Sequence, residues 1–135
     1  MSIKSILLSY LLTLIVFLMV DLTWLGFIAK GVYNKYLGGF LSDNVNWTAA
    51  IIFYFIYVIG ILIFVVYPAI NKDSVWHAIS MGALFGILAY ATYDLTNLAT
   101  LKGWPVQIVI IDIIWGGVLT LIVSLSGFYI TKWVT

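Results

Sequence analysis

Apolar residues fill four long stretches of this chain, and polar positions fall almost entirely between them. Runs from Ser5 to Ile28, Trp47 to Tyr67, Val75 to Leu98 and Val106 to Val134 are nearly unbroken. At about 1.5 Å per residue, each can cross roughly 30 Å of hydrocarbon as a helix. Pro68 marks a stop for the second run, and Asp73 or Ser74 is placed to cap the third. The connector Ala29 to Asn46 differs. There Val32, Tyr33, Tyr36, Leu37, Phe40 and Leu41 recur at helical spacing, broken by Gly38-Gly39. This suits a short helix lying in the membrane interface, or equally a continuation of the first span. Connectors this short leave one arrangement: an all-α integral membrane protein, residues 1–135 forming a single up-down-up-down bundle of four transmembrane helices, with both termini on one side. Gly82 and Gly86 in the third span, and Gly116-Gly117 in the fourth, let a neighbouring helix come close.

Composition agrees. The chain is 64% hydrophobic and 8% charged, with a mean hydropathy of +1.17, where a soluble domain carries about 25% charged residues. Lys4 ahead of an apolar run imitates a signal peptide, but no small-residue cleavage pattern follows, so an uncleaved first span is expected. A net charge of +1 offers no basic patch for nucleic acid, and the absence of cysteine excludes disulfides, thiolate metal sites and cysteine nucleophiles. Lys4, Lys72 and Lys132 on the terminal side face Lys30, Lys35 and Lys102 on the other. The positive-inside rule has little to act on, although the terminal lysines lie nearer the span ends and lean the termini to the cytoplasm. Asn46-Trp47-Thr48 matches a glycosylation acceptor by chance, and the lone His77 is expected to be an interfacial, solvated side chain.

The informative residues are acids inside the spans, because ionisable groups at membrane depth are costly. Asp21 lies about seven residues before the first span exits, Asp94 about seven before the third exits and Asp112 about seven after the fourth enters, so each sits roughly 10 Å below the same surface. Their companions repeat as well. Asp21-x-x-Trp24 and Asp112-x-x-Trp115 share one spacing, and Asp94-x-x-Asn97 puts an amide where they put an indole. Residues three apart face the same way on a helix, so each acid carries its partner into one pocket wall. Carboxylate and indole together suit a cation, through charge and a cation–π face. Three acids in one layer cannot all ionise cheaply, so a shared proton is expected. Each acid also has a structural reading: Asp21 bonding Lys30, Asp94 bonding across helices through Thr96 or Asn97, Asp112 pairing with Lys102. Asp21-Leu22-Thr23 and Asp94-Leu95-Thr96 hint at duplication of a two-helix unit.

Taken together, Phe17-Leu18-Met19-Val20-Asp21-Leu22-Thr23-Trp24-Leu25-Gly26, Ala91-Thr92-Tyr93-Asp94-Leu95-Thr96-Asn97-Leu98-Ala99-Thr100 and Asp112-Ile113-Ile114-Trp115-Gly116 resemble a family of small bacterial four-span membrane proteins catalogued as a domain of unknown function. The resemblance covers nearly the whole chain. It implies the four-span fold, location in a bacterial inner membrane, and importance for Asp21, Asp94, Asn97 and Asp112. It implies no reaction, substrate or cofactor.

The expected function is therefore a small transporter or binding protein for a cation or cationic small molecule, held by Asp21, Trp24, Tyr93, Asp94, Asn97, Asp112 and Trp115. The alternatives are an intramembrane enzyme acting on a lipid or isoprenoid-like substrate, with one Asp as general acid or base and Lys30, Lys35 and Lys102 contacting phosphate, and a structural subunit whose acids lock helices together. No cofactor motif is present, and three oxygen ligands alone make too sparse a metal site. The bilayer is the one certain partner; a homodimer suits so small a bundle.

Overall fold

A computed structural model describes the whole chain, residues 1–135. It is entirely helical. Four helices are long and apolar enough to cross a membrane: α1 (Ile3–Ile28), α3 (Trp47–Asn71), α4 (Val75–Thr100) and α5 (Val106–Val134). A short helix, α2 (Lys30–Leu37), lies between the first two. Side chains close the helix starts where orphan N–H groups need them. The Ser2 hydroxyl accepts from the Ser5 N–H, the Asn46 side chain from Ala49, and the Ser74 hydroxyl from His77. Ser74 is thus the cap of α4, while Asp73 before it takes a left-handed turn at φ 47°. The terminal ends meet: the Ser5 hydroxyl donates to the Val134 carbonyl at 3.0 Å. Lys132 near the end of α5 pairs with Asp73 in the α3–α4 turn at 2.7 Å. Both termini and that turn therefore share one side of an up-down-up-down bundle.

One expectation about breaks is corrected and one alternative is decided. Pro68 does not end the second span, which runs on to Asn71. Immediately before it, Leu62–Val66 forms a wide π turn closed by the Tyr67 N–H on the Leu62 carbonyl. The extra residue in that turn gives the proline ring room that an ordinary helical turn would deny it. Of the two readings of the connector after α1, the short separate helix is the one found, and the first span does not continue through it. Trp24–Ile28 forms a second π turn, closed by the Ala29 N–H on the Trp24 carbonyl at 2.8 Å. The chain breaks at Ala29, and α2 folds back onto the bundle, burying Leu37 beside Trp104, Ile108 and Val109.

α5 is the axis: half of its apolar window is buried inside the protein, against 17% for α4. On one flank, Phe17 of α1 and Val58 and Ile61 of α3 meet Leu119 and Val123 of α5 in the main core. On the other, α4 presses against α5 through glycines. A Cβ at Gly86 would strike the Gly116 carbonyl, and one at Gly116 would strike the Tyr90 ring. These are the close approaches that small residues allow where lipid gives helices no hydrophobic drive to associate.

Candidate functional site

Asp21, Asp94 and Asp112 are the buried acids, at 6%, 0% and 7% exposure. They come from α1, α4 and α5 and converge at the end of the bundle opposite the termini. How each is supported differs from the pattern of the sequence. The Asp21 carboxylate accepts a long hydrogen bond, 3.4 Å, from the Trp115 indole N–H. The Asp112 carboxylate accepts from the Tyr33 hydroxyl at 2.5 Å, and the Trp24 indole N–H donates to that same hydroxyl at 3.1 Å. The two Asp-x-x-Trp motifs thus exchange partners: each indole serves the other motif's acid. The exchange holds because Trp24 and Trp115 stack face to face, centroids 4.3 Å apart and planes within 9°. The π turn that begins at Trp24 and the break at Ala29 are what bring α2, and with it Tyr33, over Asp112. Burial, and then the adjoining Asp112 carboxylate, raise the Tyr33 phenol above the ordinary tyrosine value, so it remains an O–H donor across the physiological range.

Asp94 has no such support. It is fully buried and neither carboxylate oxygen has a hydrogen-bond partner. The polar groups that bear on it are the Asp112 carboxyl and the indole of Trp104, whose own N–H is likewise buried and unpartnered. The indole beside Asp94 therefore comes from the α4–α5 turn. Asn97 does not take that place; it is only half-buried and lies outside the cleft described below. The Thr96 hydroxyl bonds back to the Thr92 carbonyl of its own helix, as Thr23 does to Met19, so neither threonine ties helices together. No acid pairs with Lys30 or Lys102; the one ion pair is Lys132–Asp73.

A cleft of about 450 Å³ opens over this assembly. Asp21, Asp112, Trp24, Trp115, Tyr33 and Tyr93 line it, with Tyr54, Tyr90 and Phe53 from α3 and α4 and Lys30 at its rim. Of the residues singled out in the sequence, Asp94 stands behind the wall and Asn97 aside. Five that were not singled out belong to the site: Tyr33, Phe53, Tyr54 and Tyr90 in the cleft, and Trp104 beside Asp94. Tyr33 carried a signal, being a polar-tipped aromatic on the apolar face of the connector helix; nothing local marked the others. The cleft holds several aromatic faces and at least two carboxylates, with no nucleophile beside a base.

A family profile described as "Predicted membrane protein (DUF2177)" matches residues 6–129. No curated protein and no solved structure matches the chain.

Proposed function

We propose that this chain, which belongs to the DUF2177 family of membrane proteins, binds, and in binding transports or presents, an organic cation held within the bundle by the exchanged Asp–Trp pairs. The observation that carries this reading is the stacked Trp24–Trp115 wall with Asp21 on one indole and Asp112, through Tyr33, on the other. A carboxylate stabilises a cation by charge, and an aromatic face adds about 0.5–2 kcal/mol, most where water is excluded. Tyr33, Tyr54 and Tyr90 complete an aromatic box around the charge. Asp94 is the proton reserve of this site. Without hydrogen bonds, a buried carboxylate ion is expensive, so Asp94 holds a proton beside Asp112. A cation arriving at Asp112 changes the cost of that proton, which couples binding to protonation.

The test is a titration of the protein in lipid nanodiscs with short-chain ammonium ions at several pH values, followed by indole fluorescence. Saturable, pH-dependent quenching that Asp112→Asn weakens at least tenfold is the expected result. A flat response in the wild type across the series overturns the reading and leaves the acids as helix-locking contacts.

A further inference from the structure

Beside the acid cleft lies a second space of about 420 Å³, walled wholly by Phe53, Tyr57, Ala89, Tyr90 and Tyr93. Phe53, Tyr90 and Tyr93 also line the acid cleft, so the two spaces adjoin across these three rings. Their position follows from how α3 and α4 meet. The backbones close on each other along Leu62–Asn71 and part along Trp47–Ile61. In the parted stretch the gap is bridged by rings: Tyr57 against Phe85 at 5.6 Å and against Tyr90 at 6.3 Å. Phe53 and Tyr93 stand half exposed at its lips, at 44% and 56%. In a chain that spans a bilayer, this slot faces hydrocarbon. It begins roughly 9 Å along α3 from Trp47, at the depth of the acids. An aromatic slot open to lipid and adjoining a carboxylate cleft suits an amphiphile: tail in the slot, headgroup at the acids.

We propose that the cation of this site is the protonated amine of a membrane lipid, which enters sideways between α3 and α4. The inference rests on the cation-binding reading above and names its substrate class. Lys30 at the cleft rim narrows the class further. An acid pair inside and one lysine outside match a zwitterionic headgroup, with the amine at Asp21 and Asp112 and the adjoining phosphate at Lys30. The ligand is thus an aminophospholipid.

The experiment uses the whole chain in phosphatidylglycerol nanodiscs, with indole fluorescence read as phosphatidylethanolamine replaces part of the host lipid. Soluble phosphoethanolamine, lacking the tail, is titrated in parallel. A saturable response to the lipid, with the soluble headgroup at least tenfold weaker, is expected. Ala89→Phe, and the milder Ala89→Ile should the first fail to fold, narrow the slot and should shrink the lipid's advantage over the soluble headgroup. Lys30→Gln should weaken the phospholipid more than a simple long-chain amine. Equal binding of lipid and soluble headgroup, or a lipid advantage that survives both Ala89 variants, overturns the lateral route and keeps the cation site. Silence to the phospholipid and to the soluble headgroup overturns this inference, and the short-chain ammonium titration then decides whether the cation reading falls with it.

Discussion

Polar side chains are buried at both ends of the bundle, but they are of two kinds. Towards the termini they are hydroxyls: Ser9, Thr13, Ser124 and Thr131 are fully buried. They sit where helices touch, Ser124 against Gly82 and Thr13 against Gly127. At the opposite end they are the carboxyls of Asp21, Asp94 and Asp112, and there the helices part around a cleft. A hydroxyl is small enough to be absorbed into a helix–helix contact at modest cost, whereas a carboxylate in hydrocarbon needs several donors or a counter-charge. One end is therefore explained by packing alone. The other is where the proposed ligand would be received.

The largest expected effect lies at the tight contact between α4 and α5. Gly86→Val drives a side chain into the Gly116 carbonyl and should cost at least about 3 kcal/mol, read as loss of the folded bundle in a thermal melt followed by circular dichroism. Asp94→Leu should act in the opposite direction. It removes a buried acid without hydrogen bonds and should stabilise by roughly 1–3 kcal/mol while abolishing the pH dependence of ligand binding. Ser124→Ala in the hydroxyl half serves as its control, with no effect on binding. Destabilisation by Asp94→Leu would mean that the acid locks helices together after all. Tyr33→Phe removes the donor to Asp112 and should weaken cation binding about tenfold, or about 1.4 kcal/mol, measured by the same fluorescence titration.

The smallest effect belongs to the exposed pair at the terminal end. The Lys132 ammonium bonds Asp73 and attracts its charge, holding the Asp73 carboxyl below the usual carboxylate value. A group whose folded value is lowered contributes stability above its unfolded value and loses that stability as pH falls through the folded one. The contribution of this pair should thus be present at neutral pH and fade below about pH 4. Comparing melting temperatures of the wild type and Asp73→Asn between pH 7 and pH 3 checks it: the small gap at pH 7 should close on acidification and shrink in high salt.

The four spans and the convergence of the acids were legible because each needs only helix rise and chain direction. Seven residues from a span end place a side chain at a depth whatever the packing. Which indole meets which acid was not legible, since it depends on how α1 and α5 are rotated about their axes. Spacing put Trp24 with Asp21 and Trp115 with Asp112, and the stack reverses both. Asn97 was placed beside Asp94 by the same local rule. The neighbour is instead Trp104, brought there by the turn in which Gly103 takes φ 75°. Pro68 misled because a π turn before a proline lets the helix continue, and its run of apolar residues looks like any other helical turn. The return of α2 over the cleft hinges on the break at Ala29, buried and small, which carries no signal in an otherwise apolar stretch.

In the proposed site, Asp21 and Asp112, linked by the stacked indoles, act on one bound cation. A double-mutant cycle tests this most directly: affinity for a single short-chain ammonium ion, measured calorimetrically for the wild type, Asp21→Asn, Asp112→Asn and the double variant. The account predicts that each single change weakens binding and that the double change departs from their sum by at least about 0.5 kcal/mol. Strict additivity, or full affinity in either single variant, would contradict it.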